Sequence, residues 1–348
     1  MNKDFILKAN LFEHGINVSP EAKIILNAQS DIWLMDDYIT CSGVTLNYNN
    51  EYATVNVNPC SKIELLGNNG KLIILDGKNQ VNASVIMPPD YMKNNIVING
   101  KSITNYVNSY TDRIRLQTMN GCINNCKFCN ANKYEYILND IESIDKAFQI
   151  ALEQGKNSVR HAFVSTNNVK DKDGLEQQTR TMEYFAAKYP EMNIDVMTSP
   201  RCFTSYADLS QYKQYLEHLK NTGIKGIATN MELHNKDKFK FFCPEKAIIG
   251  QENYLKFLEQ AVEIFGEDHV RSMLILGLEP LEETLEGVTK LADRGVNPVL
   301  TPLFPYGEAQ GDTSAELMIK AKTKCLEICV KKGVKMGPIC KPCSHNTL

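Results

Sequence analysis

No stretch of the chain approaches the roughly 18 consecutive apolar residues that a membrane-spanning helix needs. The opening MNKDFILKANLFEHG has neither the apolar length nor the flanks of a secretory signal. Together these absences point to the cytoplasm. A block of like charge is lacking as well: 38 Lys and Arg stand against 41 Asp and Glu, a formal net charge of −3 with the signs mixed. That balance argues against a nucleic-acid surface. An even cysteine count is also missing. Eleven cysteines in a reducing compartment speak for metal or redox chemistry over a disulfide framework. What is present is ordinary globular material, 348 residues of which 43% are hydrophobic. That length allows one large α/β domain with a smaller companion, or two to three average domains.

The texture changes near residue 110. Before it, turn signals such as NYNNEY, GNNGK, DGKNQ and PPD separate the short apolar runs ATVNVN, KIELL, KLIILDG and SVIM. This pattern predicts a small β-rich region. One helix is expected from Pro20 toward Trp33, because SPEAKIILNAQ has a Ser cap followed by Pro in the first turn. After residue 110 strands alternate with helices. Strands are expected at 113–118, 158–165, 193–199, 223–229, 269–277 and 297–303. Between them IESIDKAFQIALEQG, QENYLKFLEQAVEIFG and LEETLEGVTKLADRG carry apolar residues at helical spacing and end in Gly. Six βα units imply a parallel sheet covered by helices, either open or a partial barrel, with function at the C-terminal strand ends.

The loop after the first of these strands reads GCINNCKFCN and places Cys122, Cys126 and Cys129 at C-x3-C-x2-C spacing. Three thiolates on one short loop can take three corners of an iron–sulfur cluster and leave one iron open. The competing readings are a zinc site, which more often uses paired C-x2-C or Cys/His sets, and a structural thiol cluster.

This loop, with Phe128 before its last cysteine and a βα series behind it, resembles the radical S-adenosylmethionine (SAM) superfamily, nearest to its biotin synthase and lipoyl synthase branch. The resemblance covers about residues 110 to 305. It implies a partial (β/α)6 TIM-like barrel preceded by the β-rich region, a 4Fe–4S cluster on Cys122, Cys126 and Cys129, and SAM on the unique iron. It also implies reductive cleavage of SAM to a 5′-deoxyadenosyl radical that removes hydrogen from a substrate, with reduced flavodoxin or ferredoxin as electron donor. The corresponding division of the chain is 1–110, 111–310 for the barrel and 311–348 for a C-terminal helix with a cysteine-containing tail.

The resemblance carries further positions. Asn230 and Glu232 in ATNMELHN match an Asn-x-Asp pair on the ribose hydroxyls, with Glu in place of Asp. Ile275 and Gly277 in SMLILGLEP, and Leu303, Phe304 and Tyr306 after the sixth strand, fall where the family places adenine. The usual Gly-Gly-Glu after the second strand is replaced by VSTNN, where Ser165, Thr166 and Asn167 can stand in. Lys246, or more distantly Lys238, is a cation for the methionine carboxylate. Each has a plainer alternative: a capping Asn, an ordinary buried strand, a solvated lysine.

Near the C-terminus Cys325, Cys329, Cys340 and Cys343 could hold a second iron–sulfur cluster. Cys340 and Cys343 alone, a C-x2-C beside Gly and Pro, could bind zinc or form a redox pair near the barrel mouth, and Cys325 and Cys329 could be helix packing. Cys41, Cys60, Cys202 and Cys243 read as isolated. Arg201 and Arg160 are candidates for a carboxylate or phosphate of the substrate. His161 reads as a core histidine, and STNNVKDKDGLEQQTRTM as a lid. The leading function is a radical SAM enzyme acting on a small molecule by sulfur insertion, rearrangement or lyase chemistry. The alternatives are a peptide- or tRNA-modifying radical enzyme and a non-enzymatic metal or electron-transfer scaffold.

Overall fold

The computed structural model of the protein describes residues 2–27, 43–155, 159–165, 167–201, 203, 208–304 and 308–348. Two sheets organise them. The first has six strands, and its hairpins turn where the sequence placed turn residues. Asn49 and Asn50 (φ 46° and 65°) join Val44–Tyr48 to Glu51–Val55, and Asn69 and Gly70 (φ 48° and 74°) join Ile63–Asn68 to Lys71–Asp76. Asn-Asn and Asn-Gly tolerate the paired positive φ values that two-residue hairpins require. The expected helix at Pro20 is short, Pro20–Ile25, with the Ser19 hydroxyl capping it; its continuation toward Trp33 lies outside the described residues. A helix that no expectation covered, Lys3–His14, precedes it and packs on the C-terminal helix Ala315–Lys332.

The second sheet has seven strands. Six run parallel in chain order: Arg113–Gln117, His161–Ser165, Asn193–Met197, Gly226–Ala228, Val270–Leu276 and Asn297–Pro302. We number these strands first to sixth. Helices cross between them on the outer face, and the order and direction are those of the expected partial barrel. An antiparallel edge strand, Val107–Tyr110, adds to the first. The region read as a lid is mostly helix, Lys172–Lys188: the Asp171 carboxylate caps Gly174 N at 3.0 Å, and Met182 and Phe185 bury one face against Phe148. Its polar residues simply form the outward face.

The tail closes the side that six strands leave open. Leu348 N donates to Leu300 O at 2.9 Å on the sixth strand, and the Thr111 hydroxyl donates to Pro342 O at 3.1 Å beside the first. Lys8 fastens the same tail to the N-terminal sheet. It is fully buried, donates to Ser344 O at 2.8 Å and lies 3.9 Å from Glu51. Burial, then the nearby Lys322 charge, lowers its pKa to about 7. In the unfolded chain the value is about 10.4. Between these limits the unfolded state holds more protons, so this group makes stability rise with pH. Lys8→Met removes that dependence, while Glu51 keeps Lys341 at 3.1 Å. The stability of wild type relative to Lys8→Met is expected to increase from pH 7.5 to 9.5 by about 1 kcal/mol per unit. Urea unfolding at each pH measures it, and a flat difference would contradict the assignment.

Candidate active site

The three cysteines lie on the wall of one cavity in the barrel, at the C-terminal end of the first strand. Backbone contacts hold their loop. Lys127 N donates to Phe242 O at 3.0 Å, Glu308 N donates to Lys127 O at 2.7 Å, and the Asn167 amide donates to Gly121 O at 2.6 Å. Gly121 has φ 68°, and a Cβ there would sit 2.5 Å from Tyr134 O, so this turn requires glycine. Cys126, Phe128 and Cys129 pack with Ile275, Leu303 and Phe242 in a small apolar cluster.

Burial pushes the Cys122 thiol up and the Cys129 thiol up to about 12. Backbone N–H groups oppose that shift, Asn124 N on Cys122 Sγ at 3.4 Å and Ala131 N on Cys129 Sγ at 3.3 Å. Cys126 is pushed well up, first by a hydrogen bond with Cys243 and then by burial. Cys243, read from the sequence as isolated, sits fully buried behind Cys126 and off the cavity wall. The thiols of Cys122, Cys126 and Cys129 are not drawn within 4.8 Å of one another, as ligands of a single ion would be. They share one loop and one cavity wall, with N–H donors already aimed at two of the sulfurs, and this donor set fits a 4Fe–4S cluster.

A second group lines the same cavity within electrostatic reach of Cys126. Lys246 Nζ lies 2.6 Å from Glu232 Oε1 and 3.1 Å from Asn230 O, with both charged side chains buried. Glu232 raises the lysine pKa against the desolvation that lowers it. The other carboxylate oxygen, Glu232 Oε2, is buried with no hydrogen-bond partner. Glu232 also holds φ 65°, a conformation that costs a non-glycine residue about 1–3 kcal/mol. A strained residue presenting an orphaned acceptor beside Asn230 suits a diol donor, so the pocket fits the ribose of SAM.

Of the other expected positions, Ser165, Ile275, Leu303 and Phe304 line this cavity; Thr166 and Tyr306 lie outside the described residues. Gly277 does not face it. Its φ is 101°, and a Cβ would meet Asp312 O at 2.0 Å, so the backbone it admits is that of Gly311 and Asp312 and not an adenine ring. Lys238 is exposed on the helix Lys236–Phe242. Arg201 bonds Val169 O and Asn124 Oδ1, bracing the cluster loop from beside the cavity. Arg160 is at the opposite end of the barrel, exposed and paired with Asp112 at 2.6 Å. It precedes the second strand, and residues there face away from the mouth. His161, at the same end, contacts Asp112, Cys340 and Cys343.

Three cavity cations besides Lys246 have no counterpart among the residues singled out from the sequence. Arg113 and Arg115 of the first strand and Arg271 of the fifth point inward. The Arg113 and Arg271 guanidiniums lie 5.1 Å and 5.2 Å from the Phe163 ring, and Arg271 pairs with Asp195 at 2.7 Å. A signal existed. A parallel strand covered on both faces is apolar throughout, so alternating arginines in RIRLQ mark an interior that is not plain core. The four C-terminal cysteines do not assemble. Cys325 and Cys329 hydrogen-bond to each other on Ala315–Lys332 within the hydrophobic core, whereas Cys340 and Cys343 join Asp112 and His161. A C-terminal second cluster on all four is therefore not formed, and the C-x2-C is at the base, not the mouth. Cys60 is exposed; Cys41 and Cys202 lie outside the described residues.

No protein-family profile matches the chain. A curated relative, the bacteriochlorophyllide c C-7(1)-hydroxylase of Chlorobaculum limnaeum, is 30% identical over 122 residues, 33% of this chain and 30% of that protein. Among solved structures, the FeFe-hydrogenase maturase HydG from Carboxydothermus hydrogenoformans superposes with a TM-score of 0.48 at 20% identity, covering 63% of this chain and 51% of that one. A radical SAM methyltransferase from Sphaerobacter thermophilus gives 0.48 at 12% identity, covering 83% and 81%. The chain thus spans less than a third of the curated relative and about half of HydG. No helix among the described residues is long and apolar enough to cross a membrane.

Proposed function

We propose, on the premise that this chain is a radical SAM enzyme, that it removes a hydrogen atom from a small molecule bearing a carboxylate or phosphate. The observation that carries the substrate class is the wall of the cavity. Beneath the cysteine loop the described lining holds Arg113, Arg115, Arg271 and Lys246 against one carboxylate, Glu232. Lys246 pairs with Glu232 and Arg271 with Asp195, which leaves Arg113, over the Phe163 ring, as the deeper guanidinium with no carboxylate partner among the described residues. Guanidinium groups in a partly desolvated site favour planar anionic oxygens.

When bound, the cluster and SAM supply the 5′-deoxyadenosyl radical. Cys122, Cys126 and Cys129 would hold the cluster, Asn230 and Glu232 the ribose, and Ile275, Leu303 and Phe304 the adenine. Ser165 and Asn167 border the place of the methionine moiety, and Lys246 orients Glu232. The arginines would fix the substrate below, and the barrel wall with the tail beneath it would exclude water. The curated relative is named for hydroxylation at C-7(1) of bacteriochlorophyllide c. Its C–H target is what this chain would share, and sulfur insertion, rearrangement, lyase and hydroxylation chemistry all start from the carbon radical that hydrogen removal leaves. Reduced flavodoxin or ferredoxin is the proposed electron donor and the cytoplasm the proposed compartment. The parts 1–110, 111–310 and 311–348 would serve as base, barrel and plug.

Anaerobic reconstitution should give about four irons and four sulfides per chain, and deoxyadenosine on adding SAM and a strong reductant. A small-molecule cell extract split on an anion exchanger should stimulate that cleavage from the retained fraction. Arg115→Met and Arg113→Met should each raise the KM for the stimulating component roughly 10- to 100-fold, as loss of a hydrogen bond to a charged group does. Their effect on unstimulated cleavage should be much smaller. Stimulation confined to the unretained fraction would overturn the anionic substrate.

A further inference from the structure

The geometry points to a second metal site at the closed end of the barrel, a zinc ion held by Asp112, His161, Cys340 and Cys343, which pins the tail that floors the cavity. Their ligand atoms all lie within 4.8 Å of one another, the one group among the described residues that does so. Cys340 Sγ is 3.4 Å and 3.7 Å from the two Asp112 oxygens and 3.7 Å from His161 Nε2. Cys343 Sγ is 3.2 Å from His161 Nε2 and 3.8 Å from Asp112 Oδ1, and Asp112 Oδ1 is 3.3 Å from His161 Nε2. A tetrahedral zinc with Zn–S near 2.3 Å and Zn–N or Zn–O near 2.0–2.2 Å sets its ligand atoms roughly 3.3–3.8 Å apart. The observed separations fall almost wholly in that range, so a zinc ion would need only tenths of an ångström of movement.

The surroundings match a structural site. Cys340 and Cys343 form a C-x2-C knuckle whose Pro342 starts the short helix Pro342–Asn346. Asp112 and His161 come from the beginnings of the first two barrel strands, so the ion would tie the tail to the barrel itself. Asp112 directs its second oxygen to Arg160, with Nε at 2.8 Å and Nη2 at 2.6 Å. That is the outer contact which holds a ligating carboxylate in place. Two thiolates and one carboxylate around a dication leave one negative charge, and Arg160 balances it. Binding releases the protons that the thiols and the imidazole carry beforehand and involves no redox change. All four positions are filled by protein, as in closed structural sites and unlike catalytic ones. Cys343, Asn346 and Thr347 line the floor of the cavity, so the ion would set the position of that floor.

The test uses the full chain purified without oxygen from zinc-supplemented medium, followed by elemental analysis. About one zinc per chain is expected. The Cys122→Ala/Cys126→Ala/Cys129→Ala variant should lose iron and keep zinc, whereas Cys340→Ala/Cys343→Ala should keep iron and lose at least 90% of the zinc. This separation makes failure here distinguishable from failure of the radical SAM reading. Added Co²⁺ should give the thiolate charge-transfer bands of a tetrahedral site in wild type. If the double variant does not fold, Asp112→Cys supplies the check: it should retain zinc and strengthen those Co²⁺ bands, while Asp112→Ala should lower zinc retention against a chelator at least tenfold. Wild type without zinc, zinc content indifferent to the Cys340/Cys343 pair, a Cys340–Cys343 disulfide in the native protein, or iron lost in zinc's place would each overturn the proposal.

Discussion

Replacing Cys122, Cys126 and Cys129 together by alanine should abolish SAM cleavage, a loss of at least about three orders of magnitude, while the protein remains folded. Both halves follow from how the loop is built. The sulfurs are the donors with which the described loop meets the cavity, with N–H groups directed at two of them. The loop's shape rests on other contacts: Lys127 with Phe242 and Glu308, Gly121 with Asn167, and Arg201 with Asn124. Of the three, only Cys126 is among the buried members of the small apolar cluster, so the substitutions remove little packing. Iron analysis, deoxyadenosine assay and circular dichroism on one preparation measure all of this. Appreciable cleavage by the iron-free variant would remove the basis of the radical reading.

The second large effect is expected at Glu232. Glu232→Ala should weaken SAM binding roughly 100-fold, since under the proposed assignment it deletes charge-assisted hydrogen bonds to the ribose worth about 1.5–3 kcal/mol. It should also lower stability by about 3–5 kcal/mol, because Lys246 is left buried without its countercharge. The two consequences can be separated. Glu232→Ala combined with Lys246→Met leaves no isolated buried charge and should recover most of the stability, yet none of the SAM affinity. Calorimetric titration with SAM and denaturant unfolding distinguish the terms. Full-strength SAM binding by a folded Glu232→Ala protein would show that the unpartnered oxygen has another purpose. The positive φ of Glu232 bears on the same point: strain of this kind persists where the surrounding structure holds a side chain in a required direction.

What was legible before the structure depended on how local its signature is. The six parallel strands appear in their expected order, with the first matched nearly residue for residue: 113–118 against Arg113–Gln117. Apolar runs of strand length between helical repeats leave few alternative topologies. Helix Lys3–His14 went unread because its buried residues, Phe5, Leu7, Lys8 and Leu11, include a lysine and so blur the apolar stripe. The supposed lid was misread for the converse reason, a polar helix whose buried face is narrow. Gly277 was credited to a ligand because a turn glycine in sequence shows only that something comes close, not what.

By itself the sequence determined the αβ rhythm and the grouping of three cysteines after the first strand. Residues within one loop or one strand have their relative placement set by backbone geometry, whatever the rest of the chain does. The tertiary structure alone decided that Arg113, Arg115 and Arg271 share an interior, that Glu232 meets Lys246, and that the C-terminal cysteines part company. It also decided that Cys340 meets Asp112 across 228 positions and Cys343 meets His161 across 182. Such meetings arise when a sheet curls and a tail fills its open side. No short-range pattern encodes them, because each partner's neighbours in sequence would look the same had the sheet stayed flat.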